Sequence, residues 1–290
     1  MDSSGGRIGV PSAGTVYPKP PAGRQRPAGT QYPQPAGAAV NEPSPGLDGK
    51  LALITGGAHR IGAAIAEVLH RAGMDLVIHY RRSRAGAEGL RERLQRQRPE
   101  SVRLVQGDLL ETDRLPQLVA ACHDWRGRLD LLVNNASSFY PTPLEEVDES
   151  QWDDLMGTNL KAPFFLARAA APLLRASAGS IVNLVDIHAD RPKKGFPVYS
   201  MAKAGNAMMV KALARELGPQ VRVNGVAPGA ILWPEQGMEE DERERILART
   251  PLERAGTPAD IARTVLFLAR DADYISGQII AVDGGRSTQH

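Results

Sequence analysis

The chain contains 290 residues, of which 42% are hydrophobic, and these are enough to form the core of one large domain. The formal charge of +2 comes entirely from the first 46 residues, so the rest has no basic excess of the kind that binds nucleic acid. No apolar run is long enough to span a membrane, and the single cysteine, Cys122, suits a reducing cytoplasm, where we expect the protein to work.

Residues 1–46 differ in composition from the rest of the chain. They hold nine of the 22 prolines, many glycines and almost no large aliphatic side chains, so they bury too little surface to offset the entropy of ordering. We predict that this segment is a disordered leader and that the functional domain occupies residues 47–290. An arginine-containing organelle-targeting segment and an over-long start assignment are the alternatives that the composition leaves open.

Short aliphatic runs alternate with longer amphipathic segments from Lys50 onward. This alternation is typical of a parallel sheet whose right-handed crossovers place helices on both faces. We therefore predict an α/β fold, with a single Rossmann-type, doubly wound domain, a seven-stranded parallel sheet and no second domain. The predicted strands are 51–54, 76–80, 102–106, 131–134, 181–185, 221–226 and 279–282. The predicted helices are 61–72, 87–97, 115–125, 152–175, 196–217 and 259–269.

A glycine-rich turn from Thr55 to Gly62 joins the first predicted strand to the first predicted helix. Gly56 and Gly62 allow a tight turn and close backbone approach, and the helix that begins at Ile61 offers free N–H groups to a pyrophosphate. Arg60 stands where a further glycine is usual, and its guanidinium suits a phosphate or an anionic edge of the substrate. An ordinary strand-to-helix turn is the alternative, but the position at the first crossover favours dinucleotide binding.

The second predicted strand ends in His79 and Tyr80 and runs into Arg81, Arg82 and Ser83. An acidic residue about twenty residues after the glycine turn would bind the ribose 2′-hydroxyl of NADH, and none is present there. Guanidinium and hydroxyl groups instead suit a 2′-phosphate, so the sequence predicts NADPH as the cofactor. A solvated basic helix start is the alternative, although positive charge at a helix amino terminus opposes the helix dipole.

Two further strand ends carry polar groups toward the expected cofactor crevice. Asp108 and Leu109 follow the third strand, where the carboxylate is placed to accept from adenine. Asn135, Ala136 and Ser137 follow the fourth strand. Each of these segments alone is also compatible with ordinary turn chemistry.

Tyr199 and Lys203 stand four residues apart in Val-Tyr-Ser-Met-Ala-Lys, so on a helix the phenol and the ammonium share one face. A cation held near a phenol favours the phenolate and lowers its pKa from about 10, which makes the hydroxyl a better proton donor at neutral pH. A solvated helix face is the alternative. Together with the glycine turn upstream, the pair indicates a nicotinamide-dependent reductase.

These motifs together resemble the short-chain dehydrogenase/reductase family across residues 47–290. Within that family the chain is most similar to the pteridine reductases, because of Arg60, the basic segment after the second strand, and Asp186 at a position where most members have a serine. The matching motifs are the glycine turn, Asn-Asn-Ala at 134–136, Tyr-x-x-x-Lys at 199–203, Pro228-Gly229 and Asp283-Gly284-Gly285.

The resemblance implies roles around the substrate for four further residues. Asp186 would accept from the amino and ring N–H groups of a pterin or pass a proton to a ring nitrogen, and a loop or helix cap is its alternative role. Phe139 would stack on the pterin, with a buried core position as the alternative. Ser137 would contact cofactor and substrate, and Asn159 would support a water near the catalytic lysine.

The resemblance also assigns the segment after the sixth strand. The backbone at Pro228, Gly229 and Ile231 would position the nicotinamide carboxamide, and Lys203 would bind the nicotinamide ribose. Residues 231–250 fall where the family varies its substrate lid. Trp233, within that lid, would contact the substrate or serve packing alone.

The function implied is NADPH-dependent reduction of a pterin of the dihydrobiopterin, dihydromonapterin or dihydrofolate type, with Tyr199 or Asp186 as the proton donor. A reductase of ketones or quinones is the nearest alternative, and a cofactor-binding sensor without turnover is a third. We expect a pterin or folate substrate and a homotetramer, with no nucleic acid and no membrane as partners. The six histidines show no metal-ligand spacing, so no metal site is predicted.

Overall fold

Seven parallel strands form one sheet in the computed structural model, which describes residues 46–231 and 240–288. The strands are β1 (Leu51–Ile54), β2 (Asp75–Tyr80), β3 (Val102–Gln106), β4 (Leu131–Asn134), β5 (Ser180–Leu184), β6 (Arg222–Pro228) and β7 (Ile279–Val282). Their order is β3-β2-β1-β4-β5-β6-β7, so the chain reverses direction across the sheet between β1 and β4. The predicted doubly wound α/β fold with seven parallel strands is confirmed.

Parts of the predicted organisation fall outside this description. The leader at 1–46 lies outside the described residues apart from Gly46, so the boundary at residue 47 stays a prediction. Trp233 and positions 232–239 of the predicted lid also lie outside them.

Helices cover both faces of the sheet. They are α1 (Arg60–Arg71), α2 (Arg84–Gln95), α3 (Leu115–Arg126), α4 (Glu149–Met156), α5 (Ala162–Ala176), α6 (Pro197–Leu217), α7 (Glu240–Ala248) and α8 (Pro258–Arg270). Apolar side chains of α3, α5 and α6 form the core on one face, and those of α1, α2 and α8 form the core on the other. No described helix has the length and apolar character needed to cross a membrane.

Alternate residues of β1 point to opposite faces of the sheet, as the two-residue period of an extended chain requires. Leu51 and Leu53 belong to the core beneath α3, α5 and α6, whereas Ala52 and Ile54 belong to the core beneath α1, α2 and α8. All four side chains are fully buried. A strand buried on both faces appears in sequence as a continuous aliphatic run, which is why the predicted and observed bounds of β1 agree.

The helix predicted over 152–175 is not an α-helix throughout. A wider π-helical turn, Gly157–Lys161, separates α4 from α5. Pro163, just after this turn, has no N–H to give to the carbonyl oxygen of Asn159 four residues earlier. Asn206 Nδ2 on α6 donates to that oxygen instead, at 2.8 Å. The partner comes from a distant segment, so the apolar period of 152–175 does not reveal the interruption.

Large apolar side chains are exposed on α5 and α6. Phe164, Met201 and Met208 are 44%, 47% and 62% exposed in the single chain. Contiguous exposed apolar patches are typical of interaction surfaces, whereas single exposed apolar side chains are ordinary. The homotetramer implied by the resemblance stays a prediction, which light scattering on the full chain tests.

Candidate active site

A cleft with a volume of about 720 Å³ opens at the carboxyl ends of the strands and is lined from both sides of the β1–β4 reversal. Ligands of doubly wound folds bind at this point. Asn159 lies behind the wall of the cleft, next to Ser137. Every residue predicted to bind the cofactor lines the cleft, namely Gly56, Arg60, Ile61, Gly62, His79, Tyr80, Arg81, Arg82, Ser83, Asp108, Leu109, Asn135, Ala136, Ser137, Tyr199, Lys203, Pro228, Gly229 and Ile231.

The glycines of the glycine-rich turn stand where a side chain would have no space. Gly56 has a φ of +60°, and a Cβ on Gly62 would collide with the carbonyl oxygen of Gly56. His59, the residue before α1, makes no side-chain cap, so the first N–H groups of the helix are left to a ligand. Arg60 has a φ of +50°, in the left-handed region that favours glycine. Arg60 combines this strained backbone with a place on the lining of the cleft.

Two side chains hold the glycine turn in place. His79 Nδ1 accepts from the backbone N–H of Gly56 at 3.3 Å, and Nε2 donates to the carbonyl of Gly107 at 3.1 Å. Asn135 Nδ2 donates to the carbonyls of Thr55 and Gly56 at 2.9 and 3.0 Å. Burial lowers the pKa of His79, which keeps the ring neutral. Both ring nitrogens of His79 are used within the protein, so the ring shapes the turn. That His79 also contacts the cofactor stays a prediction, and the residue lines the cleft.

The basic segment after β2 forms one end of the cleft. Arg81 pairs loosely with Asp108, with 3.9 Å between Nη1 and Oδ2. Arg82 is exposed and forms no ion pair with a described residue. Ser83 precedes α2, and its side chain makes no cap hydrogen bond. A guanidinium, a hydroxyl and the amides at the start of α2 are therefore available together at this end.

Tyr199 and Asp186 form a hydrogen-bonded pair at the other end of the cleft. Tyr199 Oη donates to Asp186 Oδ2 at 2.7 Å, while Asp186 Oδ1 accepts from the backbone N–H of His188 at 2.9 Å. Asp186 therefore both caps a short turn and binds the phenol. Burial and the negative charge of Asp186 raise the pKa of Tyr199, because the phenolate would be a second negative charge in a dry site.

Lys203 is buried next to this pair, on the wall of the cleft. Its Nζ donates to the carbonyl oxygen of Leu184 at 2.9 Å and lies 5.6 Å from the centroid of the Tyr199 ring. Burial lowers the pKa of Lys203 to about 8, and the charge of Asp186 partly opposes that shift. The prediction that Lys203 lowers the pKa of Tyr199 is wrong for this arrangement, because Asp186 lies in direct contact with the phenol and the ammonium does not.

A chain of buried amides runs behind the cleft. Asn134 Nδ2 donates to Asn183 Oδ1 at 2.8 Å, and Asn183 Nδ2 donates to Asn206 Oδ1 at 2.9 Å. Asn206 in turn binds the carbonyl of Asn159, whose side-chain oxygen accepts from Ser137 Oγ at 2.6 Å. Asn183 and Asn206 were not found from the sequence. Their signal was an amide within an otherwise apolar strand or helix, which requires a partner.

An aromatic cluster lies at the mouth of the cleft. Phe139 is 50% exposed, so it is not a core residue, and its ring meets that of Tyr199 edge-on at 4.8 Å. Phe196 stacks on Phe139 with 4.7 Å between ring centroids. Lys193 Nζ lies 4.3 Å from the centroid of Phe196 and 5.2 Å from that of Phe139. Phe196 and Lys193 were not found from the sequence.

The segment after β6 completes the wall of the cleft. Gly229 has no room for a side chain, because a Cβ there would lie 2.5 Å from the Cβ of Asp283. Ile246 on α7 and Arg286 near the carboxyl terminus also line the cleft, and neither was predicted. Within residues 46–231 and 240–288, no three histidine, cysteine or acidic side chains form a group that could hold a metal ion.

Comparison with known proteins agrees with this geometry. A family model described as "Enoyl-(Acyl carrier protein) reductase" matches residues 56–287. Pteridine reductase 1 of Leishmania tarentolae is 38% identical over 281 residues, which cover 82% of this chain and 96% of that protein. The 3-oxoacyl-(acyl-carrier-protein) reductase FabG is 36% identical in Staphylococcus epidermidis and 37% in Staphylococcus aureus, over 240 residues and 81% of this chain in each case. These alignments cover 98% and 97% of the two FabG proteins.

The chain belongs to the short-chain dehydrogenase/reductase family. Oxidoreductases of this family use a nicotinamide dinucleotide, which supplies or accepts a hydride when it is bound. The residues here fit such a cofactor, because the uncapped start of α1 and the crowded glycines Gly56 and Gly62 form a backbone cradle suited to a pyrophosphate. The chain is 38% and 37% identical to relatives that are named for two different activities. Sequence identity therefore does not indicate the substrate, which has to be inferred from the site.

Proposed function

We propose that this short-chain dehydrogenase/reductase reduces a dihydropterin to its tetrahydro form with NADPH. The observation that carries the proposal is the contact of 2.7 Å between Asp186 and Tyr199 within the cleft. A carboxylate accepts hydrogen bonds and cannot donate them while it is ionised. It therefore suits a heterocycle with amino and ring N–H groups better than it suits a ketone oxygen, which needs donors.

The proton for the reaction is supplied by the Asp186 and Tyr199 pair. When bound, reduced nicotinamide would supply the hydride for the carbon of an imine-like C=N bond, and the ring nitrogen would take its proton from Tyr199. Because Asp186 and burial keep Tyr199 protonated, the phenol still carries its proton at neutral pH. Asp186, which also lines the cleft, takes a proton from solvent and passes it to the phenolate oxygen, so that the phenol is restored.

Phe139 and Ser137 position the ring. The half-exposed Phe139 meets the phenol ring edge-on, and a flat heterocycle stacked on it would lie beside the proton donor. Ser137 Oγ donates to Asn159, which fixes the direction of the hydroxyl at the cleft wall. The amide chain behind Asn159 makes that wall rigid, as a reacting geometry requires.

The choice of NADPH rests on the basic end of the cleft. Arg82 has no carboxylate partner among the described residues, and Ser83 has no cap bond, so both are available to a 2′-phosphate. We expect Arg82→Ala to raise the KM for NADPH about tenfold and to change the KM for NADH less than twofold, because only NADPH carries that phosphate.

Steady-state kinetics with both cofactors measure this difference. Arg84→Ala is the matched control, since Arg84 pairs with Glu88 at 2.9 Å and does not line the cleft. An equal rise in the KM for both cofactors in Arg82→Ala would contradict the assignment to the 2′-phosphate.

Reduction of a 3-oxoacyl thioester or a ketone is the second candidate, and the FabG relatives at 36–37% identity favour it. A substrate panel separates the two functions. The purified full chain is given NADPH with dihydrobiopterin, dihydromonapterin or dihydrofolate, and separately with acetoacetyl-CoA or a simple ketone. We expect kcat/KM for at least one pterin to exceed that for every carbonyl compound. Rapid turnover of the carbonyl compounds with no pterin reduced would overturn the proposal.

A further inference from the structure

Lys193 is a cation at the mouth of the cleft that the reaction described above does not use. Its side chain lines the cleft, and its Nζ lies over the rings of Phe196 and Phe139 at 4.3 and 5.2 Å from the centroids. Phe139 in turn contacts the ring of Tyr199. The ammonium is therefore next to the platform on which the substrate ring is proposed to stack, on the side away from the Arg82 end.

The backbone at Lys193 is tied to the helix that carries the proton donor. The N–H of Lys193 donates to Ser200 Oγ at 3.3 Å, and its carbonyl accepts from the N–H of Phe196 at 3.0 Å. Both partners belong to the start of α6, where Tyr199 lies. The ammonium thus reaches into the mouth of the cleft from a base that is fixed relative to the phenol.

The charge of Lys193 has no counter-charge in the described part of the chain. No carboxylate there forms an ion pair with it, and its side-chain contacts are with the two aromatic rings. Of the other cations that line the cleft, Arg81 pairs with Asp108 and Lys203 binds the carbonyl of Leu184. Arg60 and Arg82 stand at the glycine turn and after β2, and Arg286 follows β7. Lys193 is the cation whose Nζ lies against Phe139, so it is placed to bind an anion carried by a substrate that stacks there.

We propose that Lys193 binds a carboxylate on the substituent of the pterin ring, so that the enzyme favours carboxylate-bearing dihydropterins such as dihydrofolate over neutral ones such as dihydrobiopterin. This inference rests on the proposed function and specifies its substrate class. The neutral faces of Phe139 and Phe196 hold the ammonium in place by cation–π attraction without neutralising it. A substituent that leaves the stacked ring toward the mouth of the cleft passes this ammonium.

Replacement of Lys193 by glutamine removes the charge and keeps a polar side chain of similar reach. We expect Lys193→Gln to lower kcat/KM for dihydrofolate about fivefold, mainly through KM, since the pair is only partly shielded from water. The value for dihydrobiopterin should change less than twofold. The loss should shrink as salt is raised from 50 to 500 mM, because salt screens the pair in the wild type.

Lys194→Gln is the matched control, because Lys194 is the exposed neighbour and does not line the cleft. Lys194→Gln should leave kcat/KM for both substrates unchanged. If Lys193→Gln lowers kcat/KM equally for dihydrofolate and dihydrobiopterin, or changes neither value, the carboxylate site is wrong while pterin reduction stands. If the wild-type enzyme reduces neither pterin, the proposed function is wrong and the carboxylate site is wrong with it.

Discussion

Tyr199→Phe is expected to lower kcat for the pterin substrate by about 10²–10⁴-fold, the usual contribution of a positioned proton donor. Phenylalanine loses the phenol oxygen that donates to Asp186 and keeps the ring against Phe139 and the core. The loss should therefore appear in turnover and not in folding. Stopped assays of product formation, thermal melting and NADPH binding by fluorescence separate these effects.

The chain offers a matched control for this variant. Tyr140 Oη donates to Asp154 Oδ2 at 3.0 Å, which is the same pairing of phenol and carboxylate outside the cleft. Burial and Asp154 raise the pKa of Tyr140 to about 12, so its phenol is likewise held in the protonated form. Tyr140→Phe should keep full turnover. An active Tyr199→Phe enzyme would show that the phenol is not the donor.

The strands were the most predictable part of the fold. β1, β3, β4 and β7 have the predicted bounds, including the partly exposed edge strands β3 and β7, because an aliphatic run bordered by turn residues has few alternatives in a parallel sheet. Each helix predicted from the apolar period begins and ends within three residues of an observed helix end, whereas α7 is charged, has no buried residue and was not among them. The π-helical turn at Gly157–Lys161 was missed, because its stabilising partner, Asn206, lies far along the chain.

The cofactor end of the site was predictable for a similar reason. Its residues follow β1, β2 and β4 directly, so their positions in sequence fix their positions along one edge of the sheet. The substrate end depends on contacts between segments that are distant in sequence. The stack of Phe139 on Phe196 and the position of Lys193 over both rings follow from how the segment before α6 packs, which no local pattern records.

The error about the pKa of Tyr199 has the same origin. The spacing of Tyr199 and Lys203 correctly places both on one helix, but spacing does not say which charge lies nearer to the phenol oxygen. Asp186 arrives from the end of β5 and takes the hydrogen bond, and Lys203 turns to the carbonyl of Leu184. The phenol is therefore more strongly protonated than the helical pair alone predicts.

Asp186→Asn is expected to lower kcat/KM for the pterin about 100-fold. The carboxylate accepts hydrogen bonds from the amino and ring N–H groups of the pterin, whereas the amide presents N–H groups of its own. The amide also cannot relay a proton. Asp154→Asn, at the partner of Tyr140, is the control for loss of a carboxylate beside a tyrosine and should keep wild-type activity. Turnover of simple ketones by Asp186→Asn should fall less than pterin turnover, since a ketone needs only the phenol. Equal losses for both classes would show that Asp186 does not select the substrate.

The pH profile of the same variant tests the coupling of charges in the site. The kcat/KM profile reports pKa values of the free enzyme. In the free enzyme burial lowers the pKa of Lys203, the charge of Asp186 partly reverses that shift, and the resulting pKa is about 8. If the charged ammonium is the active form, wild-type activity falls as the pH rises through about 8. Removing the Asp186 charge removes the contribution that raises the pKa of Lys203, so the alkaline limb must move to lower pH. A limb that stays in place, or moves to higher pH, would show that Asp186 and Lys203 are not coupled in the way that the geometry requires.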